Sequence, residues 1–450
     1  MAKTKDNDKR DWYLASFAGF EERLNGESSS PLHKVRRSAI DFFAESGFPS
    51  SRDEEWKHTN LAPLTRIKFH PLFDGDPATL SAADIAAFTF AGLECTQLVF
   101  LNGLFAPHLS TPGPLPPGVR AMSLAAALEE VPEKVEPHLG RYLPYQQQGF
   151  AALNTAFLKD GAFIYIPQGT QLEAPIHLLF VSTAGKHPTV SFPRNLIVAE
   201  ASTRASLIET YAGLQDQVYL TNAATEVVVG ANASFEHCKI QRESTAAFHV
   251  AALHFNEARD CRLTSNNIAL GGRLTRNDIT TVLDGEGVES TLNGLYLMDR
   301  EQHVDNHTLI EHAQPNCVSY ELYKGILAGQ SSGVFRGKIH VHQAAQQTNA
   351  YQSNQNLLLS DEAEITSKPQ LEIYADDVKC SHGSTTGQLD QDAVFYLRTR
   401  GLGEQDAINV LTRAFAGEIL DLIASETMRA QLNQLVISKL ESAHHSGERP

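Results

Sequence analysis

The sequence predicts a mainly β chain with helical ends, and three observations carry that expectation. Short β-branched runs bounded by Gly, Asn and small residues fill the chain from about residue 160, as in Gly161-Ala-Phe-Ile-Tyr-Ile-Pro167, Asn195-Leu-Ile-Val198 and Thr225-Glu-Val-Val-Val-Gly230. No amphipathic helix of roughly 10–15 residues interrupts them, which disfavours βαβ winding. A turn followed by small residues and another strand recurs from Glu200, Gly230, Gly285 and Asp361, at intervals near multiples of about 25 residues, as in solenoid repeats. A parallel β-helix fits this texture, and so does a turn-rich β-sandwich; the residues alone leave both open.

Residues 1–155 read as mixed and largely helical. Trp12, Leu14, Phe17 and Phe20 stand at near-helical spacing, and Gly26 to Ser30 form a polar break. Residues 76–122 follow no clear period, and Pro112, Pro114, Pro116 and Pro117 predict a loop. Ser123 to Val131 is helical in pattern and stops before Pro132. The β region occupies 156–388, and 389–450 returns to helical spacing. There Val394 and Leu397 begin one face, and Gly401-Leu-Gly403 marks a break. Ile408, Leu411, Phe415, Ile419 and Leu422 form a second stripe, and Met428, Leu432, Val436 and Leu440 a third, behind the cap residue Ser425. Such stripes need a partner surface, either within the chain or on another protein.

A formal charge of -16, from 37 basic and 53 acidic side chains, argues against nucleic-acid binding, which depends on clustered Lys and Arg. The five cysteines, at 95, 238, 261, 317 and 380, form no C-x-x-C pair, as suits a reducing compartment. Met1 to Arg10 lacks the apolar run of a secretory signal, and no segment approaches the roughly 20 apolar residues that span a bilayer. The expectation is a cytoplasmic protein without a membrane anchor. Cys238, Cys261 and Cys317 are expected to serve as buried small hydrophobes.

No phosphate-cradling motif is present. Gly337-Lys338 is followed by Ile339 instead of Ser or Thr, and Gly401-Leu-Gly403 lies between helices with no strand before it, so no nucleotide is expected on this chain. Among the 18 histidines, His340 and His342 are two apart and share a strand face, but two ligands make an incomplete metal site. His303, His307 and His312 fit neither one strand face nor one helix turn well. Cys380 and His382 are also two apart, so extended backbone turns a thiol and an imidazole the same way, as metal or cluster ligation requires. A structural thiol beside an unrelated histidine fits the same spacing.

The run that contains them is similar to a known family. Asn356-Leu-Leu-Leu-Ser-Asp-Glu-Ala-Glu-Ile365, Lys368-Pro-Gln-Leu-Glu-Ile373 and Ala375-Asp-Asp-Val-Lys-Cys-Ser-His-Gly383 resemble the SufB and SufD family of iron-sulfur cluster assembly proteins. Asp53-Glu-Glu-Trp-Lys-His-Thr-Asn-Leu61 and Tyr396-Leu-Arg-Thr-Arg-Gly-Leu402 resemble its N- and C-terminal segments. SufB-type chains typically carry Glu-His-Glu where this one has Ser381-His-Gly383, so the SufD branch is the nearer likeness.

The resemblance implies a right-handed parallel β-helix between helical regions, and a scaffold subunit instead of an enzyme. It further implies pairing with a SufB-like paralogue through the β-helix, docking of a SufC-like ABC ATPase through the C-terminal helices, and a transient iron-sulfur cluster at the SufB interface. His382 becomes the first ligand and metal candidate, and Cys380 the second. Two rivals remain. One is a β-helical carbohydrate-active enzyme of the polysaccharide lyase kind, for which Asp284, Glu286 and Glu289 are the nearest acidic cluster. The other is a self-sufficient homodimeric scaffold.

Overall fold

From Arg194 to Leu358 the strands alternate between a first sheet, which includes Arg194–Ala199, and a second, which includes Arg204–Gly213, and each pairs in parallel with the strand two places away in sequence. The computed structural model describes residues 2–24, 30–73, 80–183 and 185–445. It is a β-solenoid of about eight turns with helical regions before and after it. A β-sandwich would pair its strands antiparallel, so the parallel register decides between the two architectures the residues left open.

One corner of every coil is made alike. Ser202, Asn232, Asp260, Gly287, Asn316 and Gln347 all adopt positive φ, between 56° and 74°, a region that Gly, Asn and Asp enter at least cost. Each donates its backbone N–H to a carbonyl of the next coil, from Ser202 to Ala231 at 2.7 Å through Asp260 to Glu286 at 2.9 Å to Gln347 on Asp377 at 2.6 Å. These corners fall at 202, 232, 260, 287, 316 and 347, so the coil is longer than the spacing of about 25 expected from the turns. The turns after Glu200, Gly230 and Gly285 share this corner. That at Asp361 lies on the opposite one, between the strands Thr348–Leu358 and Glu364–Ser367.

The N-terminal helices Ala2–Glu21, Pro31–Ser46 and Gly149–Ala156 bury an aromatic cluster against the first sheet. Phe17, Phe20, Phe43, Trp56 and Phe157 meet Val190, Leu220, Phe248 and Leu274 there. The polar break at Gly26 to Ser30 falls, apart from Ser30, outside the described residues. Within the unclear stretch, Thr96–Leu101 forms a fully buried strand parallel to Ile176–Ser182, and Arg120–Ser123 pairs antiparallel with Ala162–Ile166. The first coil is covered in this way. Helix Leu124–Glu130 starts at Ser123, whose hydroxyl accepts from the Ala126 N–H at 3.1 Å.

The C-terminal helices are Gln391–Thr399, Glu404–Leu420 and Glu426–His445, and Ser425 caps the last by accepting from the Met428 N–H at 3.3 Å. Ile419, Met428, Leu432, Val436 and Leu440 are buried against Ile208, Ile240, Ile268, Leu295 and Ile326 on the outer face of the second sheet. Lys324 is drawn under them, its ammonium 4.3 Å from the centre of the Phe415 ring and paired with Glu418. Most of the apolar stripe surface is therefore consumed within the chain. The helices lie along the flank of the solenoid. Among the described residues no helix is long and apolar enough to cross a membrane.

Candidate functional site

Val378–Gly387 is the last strand of the second sheet, paired on one side only, with Thr348–Leu358. In the register Cys380 stands beside Ala350 and His382 beside Gln352. Ala350, Gln352 and Asn354 are buried in the solenoid interior while Tyr351 between them is exposed, so Cys380 and His382 belong to the inward-facing column of the final coil. Among the described residues no further coil lies over them. His382 is consequently exposed, whereas Cys380 is half-buried and packs on the interior core. Burial raises the Cys380 thiol above its ordinary value, which disfavours the thiolate a metal requires. The facing wall of this coil is close: Ser384 Oγ lies 2.7 Å from Ser367 Oγ.

The other histidines separate by neighbourhood. His237 points inward to Glu209 at 3.1 Å and Ser265 at 3.0 Å, while the adjacent Cys238 lies under the C-terminal helices. Cys261 and Cys317 are buried in the interior core, as the sequence suggested. His340 and His342 do meet, with ring centres 4.7 Å apart on the outer face of the first sheet. His340 Nδ1 faces Glu372 at 3.4 Å, and His342 Nε2 faces Glu311 at 2.6 Å. Each ring is thus engaged by a different carboxylate, and the two share no common ligand partner. Among the described residues no three His, Cys, Asp or Glu side chains converge on a metal position.

His303 and His307 face a strap that the sequence did not reveal. Asp53 to Asn60 crosses the outer face of the first sheet, with Trp56 stacked 4.3 Å from the Arg276 guanidinium. Arg276 is wholly buried and binds Asp305 at 2.5 Å and Asp278 at 2.6 Å. Thr59 hydrogen-bonds both Asp305 and His303. One coil on, Arg336 reaches Glu55 at 3.0 Å, and on the coil after that Lys368 reaches Glu54 at 2.8 Å. Asp305 is fully buried, yet Arg276 and His307 hold its carboxyl well below the usual range. His312 lies apart in the interior, on Ser319 at 2.8 Å. The acidic cluster is used in the corners: Glu286 accepts from Asn316 at 2.8 Å, and Glu289 pairs with Arg262 at 2.9 Å.

A solenoid whose last coil is open and carries the Cys380 and His382 pair matches two family models, the SUF system FeS cluster assembly SufBD core domain over residues 180–415 and the SufBD protein N-terminal region over residues 7–178. The chain belongs to the SufBD family. Among SufBD relatives it is 35% identical over 421 residues, 92% of each chain, to the iron-sulfur cluster assembly SufBD family protein slr0076 of Synechocystis. It is 31% identical to the iron-sulfur cluster assembly protein SufD of Escherichia coli, over 86% of this chain and 88% of that one. Protein ABCI7, chloroplastic, of Arabidopsis thaliana is 28% identical over 91% of this chain and 87% of its own length. The protein is thus an iron-sulfur cluster assembly component of SufD-like type.

Proposed function

We propose that the chain is a non-catalytic scaffold subunit that pairs with a SufB-like paralogue through its open final coil and offers His382 to a nascent iron-sulfur cluster, its cargo. The observation that carries this reading is the placement of His382: an exposed imidazole in the inward column of an uncovered terminal strand. A ten-residue strand with one unpaired edge is a template for a strand of another chain. An imidazole at that edge becomes a ligand shared between subunits once the partner is seated, so cluster formation depends on the state of the interface. Cys380, with its raised thiol, supports the strand by packing and is the alternative ligand. The thiols, all free, fit a reducing cytoplasmic setting.

A SufC-like ABC ATPase would dock on what the C-terminal helices leave exposed. Phe395, Tyr396, Leu402, Val410 and Leu422 are between 36% and 66% exposed, unlike the stripe residues already spent on the second sheet. Nucleotide would then be bound by that partner and none by this chain.

The test is anaerobic co-expression with SufB-like and SufC-like partners, comparing wild type with His382→Ala. The expected result is an intact complex whose iron and sulfide fall several-fold. An intact complex with unchanged cluster content removes His382 from the assembly site. If the chain remains a homodimer in the presence of the SufB-like partner, the self-sufficient scaffold is the better reading.

A further inference from the structure

Behind His382 the interior of the solenoid is polar and specifically arranged. Glu321, Gln352 and His382 occupy one inward-facing column on three successive strands of the second sheet, with neighbouring strands about 4.8 Å apart. Glu321 and Gln352 are each only 3% exposed. The Gln352 amide donates from Nε2 to Glu321 Oε2 at 2.6 Å, and that bond fixes which way the amide faces. Its carbonyl oxygen, Oε1, is left enclosed with no donor among the described residues. A buried acceptor in that condition is destabilising until a donor reaches it. The space for the amide is built into the opposite sheet: a Cβ on Gly337 would stand 2.3 Å from Gln352 Nε2.

A ligating imidazole is neutral and carries one N–H, and the partner of that N–H selects which ring nitrogen is free to bind. We propose that Gln352, held by Glu321, is a positioning residue for His382: its spare carbonyl accepts the imidazole N–H and leaves the other ring nitrogen for the cluster. The surplus acceptor in the interior and the exposed ring at the open end then complete each other. This inference rests on the reading of His382 as a ligand, and the readout is chosen so that the two can fail separately.

The experiment uses the full chain without cluster, labelled with ¹⁵N-histidine, and reads the ring tautomer from long-range ¹H–¹⁵N correlations at a pH where the rings are neutral. The His382 signals are those lost in His382→Asn. Wild type is expected to show one dominant tautomer and Gln352→Met a mixture, whereas Glu321→Gln, which keeps a hydrogen-bonding partner for the amide, retains most of the wild-type preference. Gly337→Ala, which displaces the amide without touching its chemistry, is expected to reproduce the mixture if Gln352→Met does not fold. In the assembled complex, Gln352→Met should weaken cluster retention by about tenfold. Unchanged His382 ¹⁵N shifts in both Gln352→Met and Gly337→Ala would overturn the proposal. A tautomer that depends on Gln352 in a chain whose cluster content ignores His382→Ala would instead sink the ligand role and leave the positioning intact.

Discussion

Glu257 shows how far the solenoid interior departs from a simple apolar core. Its carboxyl is wholly buried, accepts from Thr281 and from Ser290 at 2.8 Å, and lies near the Cys261 thiol. Burial pushes it from the usual value near 4.5 up to about 8, against the pull of the two hydroxyls. The folded chain therefore binds this proton more tightly than the unfolded chain does. The stabilisation is complete below about pH 4 and is lost as pH rises from there to about 8. Glu257→Gln keeps an acceptor for the hydroxyls and removes the titration. Thermal melts between pH 5 and 8 should fall less steeply in the variant than in wild type, and parallel slopes would show that Glu257 does not titrate in this window. Spacing alone could not reveal this: Glu257 reads as a polar strand residue until the register brings Thr281 and Ser290 to it.

At the scale of elements, two packings decide what the ends of the chain do. The strap at Asp53 to Asn60 is tied to successive coils through Arg276, Asp305, Arg336 and Lys368. Asp305→Asn leaves the buried Arg276 short of charge, and breaking such a pair costs about 3–5 kcal/mol. The expected outcome is a lower urea midpoint together with proteolytic cleavage near residues 53–60; an unaltered midpoint would mean that Asp278 suffices for Arg276. The C-terminal helices make the second packing. Leu432→Ala empties a fully buried site on the second sheet and should destabilise by about 2–5 kcal/mol. The period of these stripes was legible in the sequence, because amphipathic spacing is local. Which surface they cover was not, since Ile208, Ile240 and Ile326 come from distant coils.

For the whole molecule, the division between covered and open surface is the functional statement. The first coil is closed by N-terminal strands, the second sheet is flanked by helices, and the final coil is uncovered. Phe395→Asp combined with Tyr396→Asp changes side chains that are 66% and 56% exposed, so the melting temperature should hold while capture of the SufC-like ATPase drops at least tenfold. Loss of both stability and capture would place these residues in the fold of the helical region instead. Pairing with the SufB-like partner should be unaffected in this variant, because Phe395 and Tyr396 belong to helix Gln391–Thr399 and not to the open strand Val378–Gly387. A pull-down of each partner from the same preparation distinguishes the two surfaces.

The sequence by itself determined the β texture, the helical periods, the Ser425 cap and the pairing of Cys380 with His382 on one strand face. Each depends on residues a few positions apart, where backbone geometry alone fixes which side chains share a face. Tertiary structure alone decided the length of the coil, the strap over Arg276, the burial of the C-terminal stripes and the exposure of His382 above Gln352 and Glu321. Those follow from stacking residues about 30 positions apart, and a local pattern carries no information about which coil lies next to which. His382 is the case where the two meet. Its spacing from Cys380 marks it as a ligand candidate, but its availability exists only because the solenoid ends at that strand.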